Sequence, residues 1–257
     1  MDVEAYLHRI GYTGPHTPNA EILCGLHRAH MLTVPFENLD IHLGRPIVLD
    51  EGLLFEKIVR QRRGGFCYEL NGLFTALLRQ LQFPVSLLSA RVYEGGKPGP
   101  EFDHMALLVQ LEERWLADVG FGDSFIDPLR LDDPGEQNQR SIGYRIEQQG
   151  DVWTMMERRP PADWTVTYQF NLEPRQLEDF SGMCHWHQHS SESHFTQKRI
   201  CSLATPNGRV SLSEMKLIVT ENRSRREQIL STEVEYTAAL KTYFGIEING
   251  IRTTWIR

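Results

Sequence analysis

The segment Arg63-Gly64-Gly65-Phe66-Cys67-Tyr68-Glu69 sets a glycine pair before a cysteine, and the residues that follow have helical spacing. Leu70, Phe74, Leu77 and Leu81 fall on one face, and Pro84 ends the pattern. This predicts a helix that begins at Cys67. A helix start offers unpaired N–H groups and partial positive charge, which suit a thiolate and a developing oxyanion. The glycines would let backbone and substrate approach closely. The competing reading of Cys67 is a buried structural thiol, since free cysteine is among the most buried residue types.

Upstream of this segment, Tyr6 and Ile10, then Ile22, Leu23, Leu26 and Ala29, then Leu54, Phe55, Ile58 and Val59 repeat with helical period. A small helical bundle is expected there. Pro35 and Pro46 forbid a continuous helix through Thr33 to Gly52, so that stretch reads as a long loop, with Asp50 capping the next helix. Downstream, VSLLSARVY (85–93), HMALLVQL (104–111), RWLADVGF (114–121) and DVWTMME (151–157) alternate between apolar and polar residues. They predict an antiparallel sheet or barrel. The last third is mixed: a short helix after Pro174, strands around Gln197–Leu203 and Val210–Val219, and a helix from Glu233 to Phe244. Thr232 with Glu235 would cap that final helix, and Gly245 would end it in a left-handed turn.

A cysteine nucleophile needs a base. His104 opens one apolar strand, and Asp118 lies in the next. An apolar strand is a poor place for an unpaired carboxylate, so Asp118 needs a partner, and an imidazole N–H is a good one. Asp118 would then fix the tautomer of His104, whose other nitrogen takes the Cys67 proton. Register is the difficulty. A tight turn at Glu112-Glu113 would set Asp118 opposite Leu107 or Leu108, roughly 10 Å along the strand from His104. A solvent-bonded histidine and a turn-capping carboxylate are the alternatives.

The chain has 257 residues, 40% hydrophobic and 24% charged, enough for one large domain or two to three small packed ones. A net charge of -7 argues against a general nucleic-acid binder, which needs a positive surface to release counterions. The N-terminus MDVEAYLHRIGY carries acids early, and no run approaches the roughly 18 apolar residues of a membrane helix. Four cysteines, Cys24, Cys67, Cys184 and Cys201, fit a reducing compartment. A cytoplasmic protein without membrane or nucleic-acid partners is expected.

These segments resemble the arylamine N-acetyltransferases. The pieces that carry the resemblance are Arg9-Ile10-Gly11-Tyr12, Pro35-Phe36-Glu37-Asn38-Leu39, Arg63 to Cys67 with Glu69 and Asn71, Ala90-Arg91-Val92, His104, and Asp118-Val119-Gly120-Phe121-Gly122. Cys201-Ser202-Leu203 with Thr205-Pro206 and Gly208 extends it into the last third. The resemblance implies an α+β multi-domain fold with a cysteine-protease-like catalytic core. Residues 1–84 would form a helical bundle carrying Cys67, residues 85–190 a β-barrel carrying His104 and Asp118, and residues 191–257 an α/β lid. It also implies a ping-pong reaction in which Cys67 takes acetyl from acetyl-CoA as a thioester and passes it to an aromatic amine or hydrazine.

By matching position, Phe36, Val92 and Phe121 would line the acceptor pocket, although core packing would also explain Phe36. Phe195, Thr205 and Gly208 would meet the coenzyme, with Lys198, Arg199 and Arg209 near its phosphates unless they form a solvated basic face. The sequence departs from the family pattern at Ser191 to Phe195, where a proline is usual near Glu192.

Cys184-His185-Trp186-His187-Gln188-His189 offers a thiol and three imidazoles. Its spacing is poor for one ion, because neighbouring residues on a strand point opposite ways. A surface strand or loop without metal is expected. The same triad would also serve an amide synthase that closes an aromatic polyketide chain, or a transglutaminase-like cysteine hydrolase. A binding module that has kept the fold and lost activity is a further class.

Overall fold

The structure is a computed structural model that describes residues 1–222 and 224–248. Three apolar cores organise it. The first lies among helices α1 (Val3–Ile10), α2 (Ala20–Thr33), α4 (Glu51–Phe55) and α5 (Cys67–Gln80), with the short α3 (Leu39–His42) to one side. The cap at α4 is as expected: Asp50 accepts from the Leu53 N–H at 3.0 Å. After Phe55 the chain passes into a π-helical turn, Glu56–Arg60.

The proline-rich stretch between α2 and α4 holds more than a loop. Phe36–Glu37 forms strand β1, which pairs antiparallel with β11 (Ile200–Thr205), far along the chain. From β11 the sheet continues through β12 (Gly208–Ser213), β13 (Lys216–Glu221) and β14 (Ser224–Ile229). The stretch Val210–Val219 is therefore two strands joined by a turn. Helix α8 (Glu233–Phe244) covers this sheet, and its ends follow the sequence. Thr232 caps Glu235 N–H at 3.2 Å, and Gly245 sits at φ 65°. The Glu235 carboxylate, however, reaches Ser231 N–H at 2.6 Å rather than Thr232.

Strands β2 (Val85–Glu94), β3 (Lys97–Pro98), β4 (His104–Gln110), β5 (Arg114–Ala117), β6 (Leu129–Arg130), β7 (Gln137–Gln139), β8 (Ile142–Gln149), β9 (Val152–Arg158) and β10 (Thr165–Phe170) form the second unit. They pair in the order β6-β5-β4-β2-β10-β9-β8-β7, with β3 beside β2. The two end strands, β6 and β7, meet through side-chain amides. Gln137 accepts from Arg130 N–H at 2.8 Å and donates to Arg130 C=O at 2.9 Å, as a backbone pair would. Gln139 does the same for Ile126, Asp127 and the Asp127 carbonyl. These two glutamines close the barrel and satisfy edges that would otherwise be open.

Strand β4 is buried on both faces. Ala106 and Leu108 point into the barrel core, and Met105, Leu107 and Val109 point into the bundle core. The period of two along a strand thus gives each face of β4 its own neighbours. After the barrel, a 3-10 turn (Leu177–Phe180) leads into α6 (Ser181–His189) and the short α7 (His194–Gln197). The Cys184–His189 segment is therefore helical, not the strand or loop its alternating polarity suggested. Phe180 and Cys184 pack into the bundle core. Packing crosses the chain-order boundary in the other direction too, since Leu39 belongs to the core of the third unit.

Candidate active site

Helix α5 begins at Cys67, as its spacing predicts. Phe66 has no side-chain acceptor to cap it, so Glu69 reaches back and accepts from Phe66 N–H at 3.1 Å. A buried ion network holds the approach. Arg63 pairs with Glu37 at 2.7 Å and Asp40 at 3.0 Å, while Lys57 meets Asp40 and Glu69, each at 2.7 Å. The glycine pair serves this packing rather than a substrate. A Cβ on Gly64 would lie 1.9 Å from the Pro35 carbonyl oxygen, and one on Gly65 would lie 2.7 Å from Glu69 Cβ. Without side chains, the segment can lie against β1, where Glu37 N–H donates to Gly65 C=O at 2.8 Å.

His104 and Asp118 do meet, with Nε2 to Oδ2 at 2.7 Å. The connection Leu111–Glu113 is three residues long, so Gln110 faces Arg114 and Leu107 faces Ala117. That register is shifted by one from a tight turn. Continued past the ladder, it sets Asp118 beside Ala106, on the same face as His104 and a diagonal step away, within side-chain reach.

Asp118 is fully buried and richly bonded. Its Oδ1 accepts from Asn71 Nδ2 at 2.8 Å and Gly120 N–H at 2.9 Å, and its Oδ2 also accepts from Tyr168 Oη–H at 3.2 Å. Burial alone would raise this carboxyl. The His104 charge and hydrogen bond, with Asn71 and Gly120, outweigh burial and hold it below the usual carboxylate range. Asp118 N–H donates to His27 Nε2 at 3.1 Å, and His27 Nδ1 bonds Ile126 C=O at 2.6 Å.

Because Nε2 of His104 faces the carboxylate, Nδ1 is the nitrogen left for chemistry. Cys67, His104 and Asp118 are 4%, 3% and 0% exposed. Burial pushes the Cys67 thiol well above its ordinary value, and the charges of Asp118, Cys184 and Asp103 add to that; a backbone hydrogen bond from Met105 opposes it. A thiolate here needs its proton placed close by as a compensating cation. Gly120 packs on Cys67 directly, for a Cβ there would stand 2.8 Å from Cys67 Cα.

A cavity of about 490 Å³ opens over this group and is lined by Cys67 and His104. Phe36, Val92 and Phe121 line it too, so all three expected acceptor residues share its wall. Phe121 sets its ring edge-on to His104, centroids 5.1 Å apart. Phe195 lines the same cavity, with its ring 6.1 Å from that of Phe36. Thr205 and Gly208 sit together at the β11–β12 turn, and neither lines this cavity. Gly208 has a packing reason of its own: a Cβ would fall 1.9 Å from Thr220 C=O.

Of the cations expected near phosphates, Arg199 is buried in ion pairs with Glu233 at 2.9 Å and Glu214 at 3.5 Å. It is committed to the fold. Arg209 pairs with Asp123 at 2.9 Å and borders a second cavity of about 570 Å³, which Gly208, Arg140, Arg159 and Arg225 also line. Lys198 is exposed. On α6, Cys184 and His187 are buried while His185 and His189 stack on the exposed side, so the four candidate metal ligands are split between faces. No group of three possible ligands occurs among the described residues.

The sequence profile described as N-acetyltransferase matches residues 19–253. An arylamine N-acetyltransferase from Escherichia coli (strain K12) is 36% identical over 249 residues, covering 95% of this chain and 88% of that protein. The chain belongs to the arylamine N-acetyltransferase family. Another relative, proansamycin X synthase from Amycolatopsis mediterranei (strain S699), is 30% identical and covers 93% of this chain and 95% of its own. Among solved structures, the arylamine N-acetyltransferase of Mycobacterium marinum in complex with CoA superposes with a TM-score of 0.88. It is 29% identical and covers 95% of this chain and 93% of its own.

Within this family fold, Asn71 and Tyr168 emerge as supports of the Asp118 carboxylate and His27 as a support of its backbone N–H. Asn71 gave a local signal, lying one helical turn after Cys67 on an apolar face. His27 and Tyr168 gave none.

Proposed function

We propose that this family member transfers acetyl from acetyl-CoA to an aromatic amine or hydrazine through a thioester on Cys67, with His104 as base and Asp118 as its orienting carboxylate. The observation that carries this is the 2.7 Å His104–Asp118 pair, whose histidine lines the same cavity as Cys67. Cys67 Sγ attacks the acetyl carbonyl as His104 Nδ1 takes the thiol proton. The carbon–sulfur bond to the coenzyme then breaks, and its thiolate recovers that proton. In the second half, the amine nitrogen attacks the thioester and gives its proton to His104, which passes it to the Cys67 sulfur as the carbon–sulfur bond breaks.

Proton transfer concerted with attack suits this site, because it never leaves an uncompensated thiolate buried beside Asp118. Backbone N–H groups at the start of α5 would receive the developing oxyanion. Phe36, Val92 and Phe121 would hold the acceptor ring, and Phe195, Thr205 and Gly208 the coenzyme, along a crevice between units 1–84, 85–190 and 191–257. No step calls for a metal. All four cysteines stand free, which supports a reducing cytoplasm, and the charge of -7 supports small molecules rather than nucleic acid as partners.

Initial rates with varied acetyl-CoA and a simple arylamine test the reading. Parallel double-reciprocal lines are expected, and intersecting lines would require a ternary complex instead. The likeness to proansamycin X synthase supports a second reading, a chain-closing amide synthase on the same thioester. An acetyl-enzyme that free arylamines fail to discharge would favour it, and one that water discharges as fast as amines would favour a hydrolase.

A further inference from the structure

A second histidine–carboxylate pair borders the cavity over Cys67. His187, on α6, is 3% exposed and lines that cavity together with Asp103 and Ser193. Its Nδ1 lies 3.0 Å from Ser193 Oγ, which also accepts from Phe195 N–H at 3.3 Å. Its Nε2 lies 3.2 Å from Asp103 Oδ1 but makes no hydrogen bond among the described residues. The carboxylate is close and off the N–H axis.

The tautomer follows from this network. An unprotonated Nε2 would bring its partial negative charge to 3.2 Å from a carboxylate oxygen, which is repulsive even off axis, so Nε2 carries the proton and Nδ1 accepts from Ser193. That leaves a buried N–H donor without an aligned acceptor, which is rare in a folded protein. Tyr68, Trp186 and Phe195 pack around the ring and hold it there, with centroids 6.0, 5.0 and 5.1 Å away.

Asp103 is held equally firmly. Tyr68 Oη–H donates to its backbone carbonyl at 3.1 Å and to that of Phe102 at 2.8 Å. Phe102, just before it, sits at φ 63°, a strained conformation for a bulky residue that a fold keeps for a positional reason.

We propose that His187 Nε2–H and the Asp103 carboxylate form a donor–acceptor subsite on the cavity wall for a secondary amide or hydrazide. The ligand carbonyl would accept from His187, and its N–H would donate to Asp103. Two partners of the proposed reaction bear such a group: the pantetheine arm of acetyl-CoA, and an acceptor that is an acyl hydrazide. The subsite rests on the acetyl-transfer reading and deepens it by naming what one wall recognises.

The test compares rate ratios in the two half-reactions. The first is acetylation of Cys67 by acetyl-CoA against p-nitrophenyl acetate, which has no amide. The second is discharge of the acetyl-enzyme by benzhydrazide against aniline. His187→Leu should lower one of these ratios about tenfold, the worth of one hydrogen bond to a buried group. The arm that moves identifies the ligand. His187→Gln keeps a donor and should recover part of the ratio. Asp103→Asn should lower the same ratio several-fold, and it carries the test if the leucine variant does not fold. Ratios that stay constant, or four rates that fall alike, would overturn the subsite. A wild-type protein that never acetylates Cys67 would instead remove the reading beneath it.

Discussion

Strand β4 and the residue before it bring a histidine–carboxylate pair to each of two sides, and the two pairs are built differently. On the barrel side, His104 meets Asp118 at 2.7 Å, and the carboxylate has four donors, His104, Asn71, Gly120 and Tyr168. On the other side, His187 stands 3.2 Å from Asp103 with an N–H that no group among the described residues accepts. A saturated pair fixes one tautomer and leaves a defined nitrogen for chemistry. A pair with a buried donor to spare is left to be completed by a ligand. The contrast separates the group proposed to move protons from the group proposed to recognise an amide.

The most damaging way to break the first pair is Asp118→Asn. It should cut single-turnover acetylation by about 10³-fold or more, as loss of a triad carboxylate does through the wrong tautomer. Full retention of rate would make Asp118 structural. Asn71→Ala removes donors to Asp118 and to the Met105 carbonyl, at 2.8 and 2.6 Å, and the acceptor of Val119 N–H at 2.9 Å. With those groups buried, unfolding by urea should show a loss of about 3 kcal/mol. A loss below about 0.5 kcal/mol would mean that water replaces the side chain at no penalty.

Both pairs lean on helix α5, through Asn71 and Tyr68, and the start of that helix is pH-sensitive. Burial pushes the Glu69 carboxyl up to about 7; Lys57 opposes this, and Glu37 and Asp40 add to it. Its folded pKa thus lies above the unfolded value. The associated stability is complete below about pH 4.5 and is lost as pH rises through about 7. Melts across that window should show a decline on the order of 1 to 3 kcal/mol, flattened in Glu69→Gln. An unchanged slope in that variant would place the titration elsewhere. Asp118 and Asp40, both lowered, act with the opposite sign and only in more acid solution. The smallest effect belongs to Tyr168→Phe, which removes one bond of 3.2 Å to Asp118. Acetylation should slow about threefold to fivefold, and a hundredfold loss would give Tyr168 a larger role than orientation.

Local signals carried the parts of the fold that local physics decides. The start of α5, the Asp50 cap, and the Thr232 and Gly245 ends of α8 are each written within four residues, and each is found there. The His104–Asp118 register was missed by one residue because Leu111, Glu112 and Glu113 include none of the glycine or asparagine that marks a tight turn. Strand β1 is hidden because two residues carry no period, and their partners lie 166 and 164 positions on. Helix α6 resembles a strand in sequence because its histidines alternate, although Cys184 and His187 are three apart and share its buried side. The orphan donor on His187 depends on Asp103 and Ser193 arriving from other elements, and no spacing announces it.

The central claim is that Cys67 carries the acetyl group, and intact-mass analysis after mixing with acetyl-CoA alone tests it most directly. One added acetyl group is predicted on the native chain and none on Cys67→Ala. Acetylation that survives the substitution would contradict the account.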